Sequence, residues 1–126
     1  MTPKEVVEAF WAAMNTNDFH AAATHLTEGY SCHWPQSGET IHGPANFAAF
    51  NTAYPTKGRW SFTIHRLIAE GPEVVTDVAV TDGAGTNARV ISFATIEGAK
   101  IATHTEYWPD PFPTQDWRKA WVTLQK

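Results

Sequence analysis

His104 and Glu106 stand two residues apart in the run Thr103-His104-Thr105-Glu106-Tyr107-Trp108. Residues two apart in a strand share a face. An imidazole and a carboxylate on one buried face need partners, or their proton affinities shift toward values useful for chemistry. A third candidate is Asp77, in the middle of Val74-Val75-Thr76-Asp77-Val78-Ala79-Val80. Aspartate is disfavoured in strands, so its presence asks for a reason. Two carboxylates and an imidazole in one apolar cavity would push one carboxyl toward neutrality, as general acid–base work requires. The plainer readings are an exposed aspartate on a solvated sheet face, and a His104–Glu106 pair that only ties strands together.

Convergence of the three depends on strand register. A tight turn at Gly98-Ala99 sets Glu106 opposite Ile91 and His104 opposite Phe93. The loop from Asp82 to Asn87 leaves Asp77 opposite either Ile91 or Ser92. In the first case Asp77 joins the face of Glu106 and His104. In the second it faces away, with Ser92 and Thr105.

Other residues supply walls and partners. Trp34, Trp60 and Phe62 are candidates to line a substrate pocket, and core packing accounts for them equally well. Arg89 can pair with Asp77 or Glu106 across the sheet, or stand exposed at an edge. His20, His25, His42 and His65 are scattered, with no HxH or HExxH spacing, so no metal site is expected. Gly83 and Gly85 lie in a hairpin rather than between a strand and a helix, so there is no phosphate loop. No cofactor is expected. Cys32 is the single cysteine, which rules out an intrachain disulfide and reads as a small buried residue.

The elements that must position these groups follow from periodicity and breakers. Val6, Val7, Phe10, Trp11 and Met14 recur at helical spacing after Thr2-Pro3. Asn15-Thr16-Asn17 ends that helix, and Asp18 caps a second one predicted to reach His25-Leu26. Tyr30 to Trp34 is extended. Pro35 to Pro44 reads as a loop, and Pro44 opens a third helix that Pro55 ends. Trp60 to Ile68, Val74 to Thr81, Asn87 to Ile96 and Lys100 to Trp108 form a strand meander with turns at Gly71-Pro72, Asp82–Gly85 and Glu97-Gly98. Pro109, Pro111 and Pro113 stop regular structure. Helices first and then an antiparallel meander is an α+β pattern, a curved sheet capped by N-terminal helices. Such a sheet encloses a concavity suited to a small hydrophobic molecule.

A chain of 126 residues, 43% hydrophobic and with six tryptophans, can bury a core as one domain over residues 1–126 without disulfide or metal. The net charge of −4, with no basic run, argues against nucleic acid as a partner. No apolar stretch is long enough to span a bilayer, so no membrane partner is expected. Met1 to Met14 lacks the pattern of a signal peptide, and a cytoplasmic protein is the expectation.

Several of these features together resemble the SnoaL-like domain proteins of the nuclear transport factor 2-like superfamily. They are the helical hairpin, Tyr30-x-x-x-Trp34-Pro35-Gln36-Ser37-Gly38-Glu39-x-Ile41-x-Gly43, Tyr54-Pro55, Glu106-Tyr107-Trp108, Trp117-Arg118 and Trp121. The resemblance implies a cone-shaped cystatin-like α+β barrel with a deep pocket, commonly a homodimer. Its relatives include metal-independent cyclases, isomerases and hydrolases as well as non-enzymes, and their catalytic sets do not map onto this chain. Two readings therefore stand. One is a cofactor-independent cyclase or isomerase acting on a hydrophobic carbonyl compound, with Asp77 or Glu106 as base and His104 as helper. The other is a non-catalytic ligand-binding or dimerisation module.

Overall fold

The computed structural model describes residues 1–125. Helix α1 (Pro3–Met14) starts at a capping box in which Thr2 and Glu5 each bond the other's backbone N–H. Its apolar face, Val6, Val7, Phe10, Trp11 and Met14, is wholly buried. Helix α2 (Phe19–Ala23) is capped by Asp18, whose side chain accepts from the Ala21 N–H. It stops short of the predicted His25-Leu26. The reason is that the His25 carbonyl accepts from the Ile101 N–H at 2.8 Å, which draws the chain into the sheet.

The sheet has six strands: β1 (Leu26–Trp34), β2 (Glu39–His42), β3 (Ser61–Glu70), β4 (Glu73–Thr81), β5 (Asn87–Glu97) and β6 (Lys100–Tyr107). Helix α3 (Pro44–Ala53) lies between β2 and β3, and a 3₁₀ helix spans Asp116–Trp121. The strand order β2-β1-β6-β5-β4-β3 leaves the sheet unclosed, with β2 and β3 at its edges. The fold is α+β, as expected, with two differences. The predicted Pro35–Pro44 loop contains β2, which pairs antiparallel with β1 through Cys32↔Ile41 and Trp34↔Glu39. And the sheet is mixed, because β1 runs parallel to β6 with Cys32 beside His104. A meander read only along the sequence gives no pairing for the first strand, and the gap between β5 and β1 that β6 fills is a long-range choice.

The register also differs from the hairpin arithmetic. Near the turn Glu97 pairs with Lys100 and Ile96 with Ile101, as a tight turn dictates. A bulge then places an extra residue, Ala102, on β6, and beyond it Thr95 pairs with Thr103. Every later pair slips by one: His104 stands opposite Ala94 and Glu106 opposite Ser92. Asp77 does pair with Ile91, but Ile91 now pairs with Tyr107. Since a slip of one exchanges the faces, Asp77 goes to the outer face while Glu106 and His104 stay inside.

The helices cover the inner face. Val74, Thr76, Val78 and Val80 of β4, with Val90, Ser92 and Ala94 of β5, are buried beneath them. Two asparagines in the α1–α2 turn tie that turn to the start of β3. Asn15 both donates to and accepts from the backbone of Phe62, at 2.8 and 2.7 Å. Asn17 does the same for Trp60, at 2.7 and 2.8 Å. These side chains supply the backbone bonds that a neighbouring strand would give to an edge. Asn17 holds φ 62°, which asparagine tolerates better than most residues. No helix among the described residues is long and apolar enough to cross a membrane.

Candidate functional site

Between the helices and the inner sheet face lies a cavity of about 450 Å³. Ten of its 22 lining residues are aromatic, and none is Lys, Arg or His. The alternation of β1 aims Tyr30, Cys32 and Trp34 inward, and that of β6 aims His104 and Glu106 inward. The parallel pairing of these two strands brings the two sets together.

Glu106 is the buried carboxylate of the cavity, only 7% exposed. Its Oε1 accepts from Trp34 Nε1 at 3.2 Å and from Cys32 Sγ at 3.5 Å. Its Oε2 accepts from Ser92 Oγ at 2.7 Å. All three partners donate, so both oxygens act as acceptors, and no cation among the described residues pairs with them. Ser92 faces Glu106 directly across β5–β6, a consequence of the bulge at Ala102.

Behind this layer, His104 is 2% exposed, packed against Phe10 and Tyr30. Its Nδ1 and the Tyr30 hydroxyl share a hydrogen bond of 2.6 Å. Its Nε2 has no partner among the described residues. Burial lowers the pKa of His104, opposed by the nearby Glu106 charge. Burial raises that of Tyr30, with the Cys32 and Glu106 charges adding to it. The same burial holds the Cys32 thiol well above its ordinary range. His104 therefore sits beneath the cavity, not on its wall.

Asp77 is on the other side of the sheet. Arg89 Nη2 donates to its Oδ2 at 3.0 Å, Arg89 Nε bonds its Oδ1, and Arg66 lies 3.7 Å away. The Arg89 bonds hold its carboxyl below the usual range. Of the residues picked from sequence, then, Glu106, Trp34, Trp60 and Phe62 meet at the cavity. His104 lies beneath the cavity and bonds Tyr30 rather than Glu106. Asp77 and Arg89 form an ion pair on the outer face and do not reach the others.

Other members of the site escaped the sequence reading. The turn at Gly98-Ala99 by itself places Ser92 on the opposite face, because the bulge leaves no mark in the turn. Cys32 and Tyr30 share the period-two pattern of Trp34, which is the signal that identifies them. Trp11, predicted as helix core, lines the cavity while 3% exposed, and its indole N–H has no hydrogen-bond partner among the described residues. Phe50 and Tyr54 extend from α3 and its C-cap to the cavity mouth. One cluster has the chemistry of a metal site: Cys32, His104 and Glu106 each bring a ligand atom within 4.8 Å of the others. His104 Nδ1 and both Glu106 oxygens are already engaged in hydrogen bonds, and burial opposes the thiolate a metal requires.

Helices folded over one face of a curved six-stranded sheet, with a carboxylate inside an aromatic cavity, can be set beside known proteins. The SnoaL-like domain family matches over residues 7–104. This chain belongs to the SnoaL-like domain family. None of the curated proteins matches it. Among solved structures, an NTF-2 like protein of unknown function from Burkholderia xenovorans LB400 is 30% identical, with a TM-score of 0.80, covering 98% of this chain and 95% of its own. A structure from Kribbella flavida DSM 17836 described as a "putative ketosteroid isomerase" is 25% identical with a TM-score of 0.88, over 98% and 90% of the two chains. An LEH-like epoxide hydrolase of M. tuberculosis shares the fold at 20% identity and a TM-score of 0.70, over 85% and 82%. Fold alone does not carry an activity from one of these to another, so the chemistry of this SnoaL-like domain rests on its own cavity.

Proposed function

We propose that this SnoaL-like protein is a cofactor-independent enzyme in which Glu106 removes a proton beside the carbonyl of a small, largely hydrophobic substrate. The observation that carries this reading is the Glu106 carboxylate itself. It stands inside an aromatic cavity, fixed by three neutral donors and paired with no cation. A base so held is aimed before substrate arrives and is shielded from bulk water. Proton abstraction leaves negative charge on the carbonyl oxygen. Isomerisation follows if Glu106 returns the proton to another carbon, and ring closure follows if the enolate carbon attacks a second carbonyl. His104 positions the layer behind Glu106 through Tyr30 and touches no substrate. A purely non-catalytic module would be favoured by carboxylates that point outward; Asp77 does so, whereas Glu106 points in.

The reading is tested by hydrogen exchange, which needs no knowledge of the natural product. Small aromatic and alicyclic ketones are incubated with the protein in D₂O, and loss of the α-proton signal is followed by NMR. Wild type is expected to accelerate exchange of at least one ketone, and Glu106→Gln to slow it by about 100-fold or more. Equal rates for wild type and Glu106→Gln would overturn the assignment. The homodimer is also proposed: Ile68, Phe93 and Tyr107 remain exposed on the outer face, and sedimentation of wild type against Phe93→Glu would test pairing there.

A further inference from the structure

We propose that the cavity selects substrates carrying a substituted ammonium group. This rests on the reading of the Glu106 cavity as the substrate site and names the class of molecule it takes. Four rings follow one another along the wall: Trp34, Phe50, Tyr54 and Trp60. Their centroids are 5.1, 5.8 and 5.7 Å apart, and successive planes are tilted by 51°, 66° and 79°. Rings packed on one another in this way form a continuous aromatic wall of two tryptophans, a phenylalanine and a tyrosine, and the ring faces it turns to the cavity attract an alkylated ammonium. At one end of the row the Trp34 indole bonds Glu106.

The charges of the lining agree with this. Glu39 and Asp110 join Glu106, and no basic side chain lies among them. An aromatic wall is compatible with any apolar ligand; a wall that also carries acidic groups without a base favours a cation. The same feature meets a need of the proposed chemistry. The enolate formed when Glu106 takes the proton has no basic side chain in the lining to offset its charge. An ammonium group on the substrate supplies that positive charge, while Glu106 becomes neutral by the same transfer.

The test uses choline and its neutral carbon isostere, 3,3-dimethyl-1-butanol, titrated against the full chain by tryptophan fluorescence and calorimetry. The two match in shape, so their difference reads the positive charge. Choline is expected to bind at least about tenfold more tightly than the alcohol. Glu106→Gln, and separately Tyr54→Leu, should each weaken choline several-fold and leave the alcohol nearly unchanged. Tyr54 is half exposed, so its replacement keeps the fold and the experiment stands even if Glu106→Gln misfolds. No choline binding, or equal binding of the two probes, would overturn the proposal. Choline has no proton beside a carbonyl, so it reports recognition alone. Choline binding without ketone exchange would sink the acid–base reading and leave the cation site. Exchange of neutral ketones without preference for choline would do the reverse.

Discussion

Lowering the pH should destabilise this protein through His104, and by an amount that can be worked out. The imidazole is fully buried against Phe10 and Tyr30, and burial lowers its pKa from the ordinary 6.5. In the unfolded chain it titrates near that ordinary value. Below pH 6.5 the unfolded state therefore binds a proton that the native state resists, and stability falls as pH falls. The slope reaches about 1.4 kcal/mol per pH unit between the two pKa values. Going from pH 7.5 to 5.5 removes about 1.4 kcal/mol if native His104 takes up no proton in that range. The perturbation is His104→Asn, whose amide can still bond the Tyr30 hydroxyl. The smaller side chain leaves a cavity with a cost, but that cost does not vary with pH. Urea denaturation of both proteins between pH 7.5 and 5.5 should show wild type losing more stability than the variant over that interval, by up to about 1.4 kcal/mol. Parallel curves, or a wild type that gains stability on acidification relative to the variant, would refute the burial argument.

The remaining predictions follow from the same contacts. Asp77→Asn should cost about 1 kcal/mol by denaturation, because its Arg89 partner is half-exposed on the outer face, and should leave ketone exchange unchanged. Ser92→Ala removes the donor to Glu106 Oε2 and should cost about 1–3 kcal/mol, read by thermal or chemical unfolding. Asn17→Ala deprives the Trp60 backbone of both bonds at a positive φ and should destabilise by about 2–4 kcal/mol, with a changed Trp60 environment in the fluorescence spectrum.

Much of this architecture is legible along the chain because its causes are local. The helix starts at Thr2-Pro3 and Asp18, the three hairpin turns and the alternation of β4 and β5 are written in neighbouring residues. What could not be read is what distant residues decide. β2 is short and polar, and becomes a strand only because β1 offers an edge. The parallel β1–β6 pair joins segments some seventy residues apart, and it alone brings Trp34 and Cys32 to Glu106. One inserted residue, Ala102, moved Asp77 from a proposed catalytic partner to an outer-face ion pair and put Ser92 in its place beside Glu106. Since the side-chain period of a strand is two, a bulge of one residue is enough to exchange the members of a site. The asparagine clamp was visible as a helix break, but its second role depends on where β3 lies.

The proposed base is Glu106, held inside the cavity by Trp34, Cys32 and Ser92. The most direct measurement is the rate of α-proton exchange for a ketone that wild type turns over, compared across wild type, Glu106→Gln and Asp77→Asn under one condition. The expected result is a loss of about 100-fold or more in Glu106→Gln and an unchanged rate in Asp77→Asn. A Glu106→Gln variant that is folded and exchanges at the wild-type rate would contradict it.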